Sequence, residues 1–108
     1  MIFVRRNIRD LVGLIIVVTT DACRDEWPRS NVMTFDEGFE SIRQSIQHLR
    51  GKLGDALARQ LLEMTEQAKA HFEDGEIRFG GRLMQDIEYV AQGKKPFAFP
   101  EEMYRWPL

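Results

Sequence analysis

Large apolar side chains recur at helical spacing between residues 34 and 92. Such spacing places them on one face of an amphipathic helix, which packs that face against a core. The first stripe contains Phe35, Phe39, Ile42, Ile46 and Leu49. The second contains Leu57, Leu61, Leu62, Met64, Ala68 and Phe72. The third contains Ile77, Leu83, Met84, Ile87 and Val90. The pattern predicts a mainly α fold, a small three-helix bundle.

Capping signals predict where these helices begin and end. Thr34 and Glu37 have capping-box spacing, in which each side chain accepts from the other's backbone N–H. Gly51 is expected to end the first helix in a left-handed conformation, and Asp55 to cap the second. The third helix is predicted over residues 76–92, and the signals that stop it are Gly93, Lys94, Lys95 and Pro96.

A glycine pair, Gly80-Gly81, lies inside the third predicted helix, where each glycine costs about 1 kcal/mol relative to alanine. Two explanations are open. Either a neighbouring helix packs so closely that a side chain would not fit, or the helix begins only after Gly81.

Residues 1–33 differ in composition from residues 34–108, which we take as the helical domain. Residues 11–20 are a nearly apolar run, too short for the ~20 residues that span a bilayer. One interpretation is a buried strand or hairpin edge, because the run is rich in β-branched residues. A second is an upstream extension of a shorter protein that begins at Met33. Residues 23–31 have the composition of a linker under each interpretation.

A third interpretation of the N-terminal segment is a bacterial secretory signal. Arg5, Arg6 and Arg9 would be its positive region, and Cys23, directly after Ala22, would be the lipid acceptor of a lipoprotein. The chain would then contact a membrane only through a lipidated Cys23. The location would be periplasmic in that case and cytoplasmic otherwise.

The C-terminal segment, residues 96–108, holds four of the chain's eleven aromatic residues and three prolines. We expect a strap that folds back over the open end of the bundle. The alternative is an exposed aromatic anchor for a partner, because Tyr and Trp are large, stiff and tipped with a polar group.

Neither catalysis nor a cofactor is indicated by the residue pattern. His48 and His71 have no second ligand at helical spacing, and Cys23, the single cysteine, allows no internal disulfide. The glycine spacing of phosphate-binding and dinucleotide-binding loops is absent from the sequence. A net charge of -2 argues against direct nucleic-acid binding. We therefore expect a non-enzymatic binding protein without metal or cofactor.

Acidic residues cluster in the second half of the chain: Glu73, Asp74, Glu76, Asp86, Glu88, Glu101 and Glu102. A solvated surface explains such a cluster, and so does a patch complementary to a basic protein. Asp86 and Glu88 cannot point the same way on one helix, so the cluster would form at most a rim.

Residues 55–104 resemble the Maf-type immunity family, small helical proteins of bacterial toxin systems. The resemblance is carried by Ala68, Phe72-Glu73-Asp74-Gly75-Glu76, Leu83, Asp86-Ile87-Glu88-Tyr89 and Phe99-Pro100-Glu101-Glu102. It implies a protein that binds and neutralises a cognate toxin, often a nuclease. The acidic cluster adds the hypothesis that the toxin is bound through an acidic and aromatic face. The expected contact residues are Glu73, Asp74, Glu76, Asp86, Glu88, Tyr89, Glu101, Glu102, Tyr104 and Trp106. The alternatives are an exported helical lipoprotein and an adaptor that forms a homodimer through its N-terminal segment.

Overall fold

The computed structural model describes residues 2–24 and 33–94. Within these ranges the chain forms five helices and no strand. They are α1 (Ile8–Ala22), α2 (Phe35–His48), α3 (Arg50–Leu53), α4 (Asp55–Glu73) and α5 (Ile77–Ala91). Helices α2, α4 and α5 correspond to the three predicted helices, so the mainly α prediction is confirmed. The predicted C-terminal strap and most of the predicted linker lie outside the described residues.

The strand interpretation of residues 11–20 is wrong, because this run forms the middle of α1. Asn7 caps the helix by accepting a hydrogen bond from the backbone N–H of Asp10 at 2.8 Å. One face of α1 is buried at helical spacing, and this burial outweighs the β preference of its branched residues. The buried apolar residues of that face are Leu11, Leu14, Ile15, Val18 and Ala22. The secretory-signal and upstream-extension interpretations stay hypotheses.

The start of α2 and the stop after α5 follow the sequence prediction. Thr34 Oγ1 accepts from the Glu37 N–H at 3.2 Å, and Glu37 Oε1 accepts from the Thr34 N–H at 2.9 Å. Gly93, after α5, has the expected left-handed φ of 76°. The predicted capping box and C-terminal stop are confirmed.

The connection between α2 and α4 differs from the prediction. Gly51 does not end α2 in a left-handed conformation; it lies within α3, and Gly54 takes the positive φ of 90°. Asp55 is the first residue of α4 and makes no side-chain cap. Its carboxylate instead accepts from Arg50 Nε at 2.8 Å. One further helical turn thus forms before the chain reverses.

Helices α4 and α5 form the most extensive pair, and α1 packs across α5 and α2, whereas α2 packs on α4. At the crossing of α4 and α5, a Cβ built on Gly80 would lie 2.9 Å from the Phe72 ring. Because α5 already begins at Ile77, a late helix start does not explain the glycine pair, and close packing against α4 explains Gly80.

The segment before α1 is hydrogen-bonded to two buried serines of α2. The Phe3 N–H donates to Ser41 Oγ at 2.9 Å, and the Arg5 N–H donates to Ser45 Oγ at 2.8 Å. Ser41 and Ser45 are both fully buried. No helix within residues 2–24 and 33–94 is both long and apolar enough to cross a membrane.

Candidate functional site

The predicted acidic contact residues fall into separate places in the structure. Glu73 and Asp74 are exposed at the C-terminal end of α4. Glu76 follows them in the α4–α5 turn, where its Oε1 lies 3.1 Å from His71 Nδ1 and its side chain is only 16% exposed. The turn therefore presents the first two carboxylates to solvent and holds the third against the protein.

Asp86 does not belong to this exposed surface, because the residue is buried at 3% exposure on the inner face of α5. Glu88 and Tyr89 are partly exposed near the other end of α5. That end lies about 16 Å along the helix axis from its first residue. Lys94 Nζ lies 6.0 Å from the centroid of the Tyr89 ring. The remaining four predicted residues, Glu101, Glu102, Tyr104 and Trp106, lie outside the described part of the chain.

A groove at one end of the bundle brings carboxylates together that are distant in sequence. It has a volume of about 550 Å³ and lies between the end of α1, the start of α2 and the α4–α5 turn. We call it the acidic groove. Its apolar lining is Ala22, Phe35, Phe72 and Ile77, and its charged lining is Asp21, Arg24, Asp36 and Glu73.

The aromatic side chains of the acidic groove belong to a packed cluster. The Phe35 ring centroid lies 4.9 Å from that of Phe39 and 6.4 Å from that of Phe72. The centroids of Phe39 and Phe72 are 6.0 Å apart. Because Phe39 and Phe72 are buried, they hold the partly exposed Phe35 in place. The groove thus has a preformed apolar floor.

The charged lining of the acidic groove is negative overall, with three carboxylates and one guanidinium. Asp21 is buried at 8% exposure and Arg24 Nε lies 4.0 Å from its Oδ1, so Asp36 and Glu73 are the exposed carboxylates of the groove. Lys69 Nζ lies 3.2 Å from Asp36 Oδ1, but the Asp36 side chain is 78% exposed and water screens the pair. The groove can therefore attract a cationic side chain of a partner.

Only Glu73 among the groove's carboxylates belonged to the predicted contact set. Asp36 is recognisable from sequence as a first-turn residue of α2, where it favours the helix dipole. Asp21 lies at the end of α1, a helix that the sequence interpretation missed. The capping pattern of Asn7 and Asp10 was the signal for that helix, and the groove itself follows only from helix packing.

A smaller cavity, about 230 Å³, lies between α2 and α4. Glu40 and Arg43 line it, together with Asp36, Phe39, Leu62, Thr65, Glu66 and Lys69. The Arg43 guanidinium donates to the Glu40 carboxylate and holds the pKa of Glu40 below its usual value. Glu40 and Arg43 are thus paired with each other, which leaves less charge in this cavity to attract a ligand.

The described residues hold no group of three or more His, Cys, Asp or Glu side chains that could bind a metal ion. Burial raises the pKa of the Cys23 thiol, which lowers the fraction of reactive thiolate at neutral pH. Comparison of the chain with family models, curated proteins and solved structures found no match.

Proposed function

We propose that this protein is a non-catalytic inhibitor that binds and neutralises a cognate basic protein toxin, and that the acidic groove is its contact surface. The observation that carries the proposal is the convergence of the exposed carboxylates of Asp36 and Glu73 at the edge of an apolar floor. The sequence resemblance to toxin immunity proteins supports the same function. Binding in the cytoplasm of the producing cell would neutralise the toxin where it is made.

Each part of the acidic groove has a separate role in this proposal. The floor at Phe35, Phe72 and Ile77 takes an apolar side chain, or the aliphatic stem of a lysine or arginine. Burial of such an anchor in a preformed pocket supplies most of the affinity of an interface. The carboxylates at the rim raise the association rate and select a basic partner.

The α4–α5 turn extends the negative surface beyond the groove. Asp74 is exposed directly after Glu73, so both carboxylates face solvent at the same corner of the molecule. A nuclease toxin binds the phosphates of its substrate with Lys and Arg side chains. The Lys and Arg side chains of such a toxin would bind the carboxylates of Glu73 and Asp74 in place of phosphates. The bound inhibitor would then block the nucleic acid from the toxin's active site.

The test is to reverse one rim charge and to measure binding to the protein product of the neighbouring gene. We expect Glu73→Lys to slow association about tenfold at low ionic strength, because rim charges act mainly on the association rate. The salt dependence of association should weaken in the same variant. Co-expression with the toxin should then protect growth less well than the native chain does.

The matched control is Glu63→Lys, which makes the same charge change at an exposed position of the same helix, away from the groove. This variant should bind and protect nearly as the native chain does. A second groove variant, Asp36→Lys, should reproduce the loss caused by Glu73→Lys. Equal binding by the two groove variants and the control would refute the acidic groove as the contact surface.

A further inference from the structure

Helix α1 is apolar on its outer side as well as its inner side. Ile16 is 45% exposed and Val17 is 50% exposed, and Val4, in the segment before the helix, is 42% exposed. They are the exposed large hydrophobic residues of the described chain. A Cβ built on Gly13, one turn earlier, would have no atom within 4 Å. We call Gly13, Ile16 and Val17 the outer face of α1.

The N-terminal end of this face is positively charged. Arg5 and Arg9 line a cavity of about 400 Å³ with Asp10, Gly13, Leu14 and Val17. The Nε atom of Arg5 is buried and has no hydrogen-bond partner among the described residues. A buried donor without an acceptor costs free energy, so an acceptor brought to this cavity would be stabilising. The cavity thus suits a carboxylate whose neighbours are apolar.

A second cavity connects this region to the end of α5. It has a volume of about 360 Å³ and is lined by Ile8, Arg9, Val12 and Gln92. Arg9 therefore borders both cavities. The described chain ends at Lys94, two residues after Gln92. The end of the described chain therefore lies near the N-terminal half of α1.

The size of the outer face favours a single peptide segment over a second copy of the protein. Helix α1 has 15 residues and is about 22 Å long, so a strip ~10 Å wide covers on the order of 200 Å². A stable protein–protein interface buries about 800 Å² on each partner. The fourteen residues 95–108 can span at most ~50 Å when extended, more than twice the length of the helix.

We propose that the outer face of α1 is a docking surface for the chain's own residues 95–108. This segment contains both the apolar and the acidic side chains that would complement the outer face of α1 and its arginines. Its aromatic side chains suit the exposed Ile16 and Val17, and its Glu101-Glu102 pair suits the arginines at the N-terminal end of the face. Docking removes apolar surface from water and gives the Arg5 guanidinium an acceptor.

The test follows the exposure of Trp106, which becomes the single tryptophan in the full-length chain when Trp27 is changed to Phe. Quenching of its fluorescence by acrylamide should be several-fold weaker in the folded monomer than in urea. On that background, Ile16→Lys should remove apolar contact and Arg9→Glu should repel the acidic pair. Each should restore strong quenching, while circular dichroism confirms an unchanged helix content.

Two control variants introduce the same charge changes on exposed positions of α4, Gln60→Lys and Arg59→Glu. Neither should change the quenching of Trp106. The proposal is overturned if Trp106 is as accessible in the native chain as in urea, or if Ile16→Lys and Arg9→Glu leave its shielding unchanged. Shielding that appears only at the mass of a dimer would also overturn it, since a second copy would then cover the face.

Discussion

Substitution of Gly80 by alanine should destabilise the protein, although alanine is the better helix former. The added methyl carbon would lie 2.9 Å from three atoms of the Phe72 ring, closer than van der Waals contact allows. The ring cannot easily move away, because it is 7% exposed and packs on Phe35 and Phe39. Either α5 must shift away from α4, or the aromatic cluster must rearrange.

The magnitude follows from two opposing contributions. Overpacking of a core typically costs ~1–3 kcal/mol, whereas replacing a glycine inside a helix gains about 1 kcal/mol. We expect Gly80→Ala to lose ~1 kcal/mol of unfolding free energy, which lowers the melting temperature by about 4–8 °C in a chain of this size. Gly81→Ala is the matched control. Its Cβ would lie 3.0 Å from Cys23 Sγ, the end of an exposed side chain that can rotate.

The assay is urea unfolding followed by circular dichroism, on both variants and on a Phe72→Leu background. Gly81→Ala should raise the free energy of unfolding by up to about 1 kcal/mol relative to the native chain, because alanine is the better helix former. Phe72→Leu should remove most of the cost of Gly80→Ala, because the ring atoms that meet the new methyl group are gone. The reasoning is refuted if Gly80→Ala is as stable as Gly81→Ala, or if its cost is the same in the Phe72→Leu background.

Two further predictions concern α2. Ser45→Ala should cost roughly 1–3 kcal/mol, because it leaves the Arg5 N–H without its acceptor, and hydrogen exchange at that amide should accelerate. Unchanged exchange would contradict this role. Glu40 has a folded-state pKa below its usual value, so its stabilisation is present above the pKa of the unfolded carboxyl and is lost as pH falls through the lower folded value. Glu40→Gln should therefore be less stable than the native chain at neutral pH, by less than ~1 kcal/mol for this partly exposed pair. This difference in stability should shrink as the pH falls below the usual pKa of a glutamate carboxyl. A constant gap in acid unfolding would contradict it.

Local sequence signals determined the helices of the second part of the chain. The apolar stripe of α2 and the Thr34–Glu37 capping box involve residues three or four positions apart, so their outcome depends little on distant contacts. The stop at Gly93 is local in the same sense. The same kind of signal was present at Asn7 and Asp10, but a run of β-branched residues obscured it. Intrinsic β preference is weak compared with burial of a whole helical face.

Tertiary packing decided which charged residues can meet a partner. From sequence, Asp86 and Glu73 are equivalent carboxylates, but packing of α5 buries the first and leaves the second at the rim of the acidic groove. Asp36 joins Glu73 at this rim only because the end of α4 meets the start of α2. Helical periodicity determines which face of a helix is apolar, because that depends on neighbours along the chain. The order in which helices pack is a property of the whole core, and the groove exists only once that core has formed.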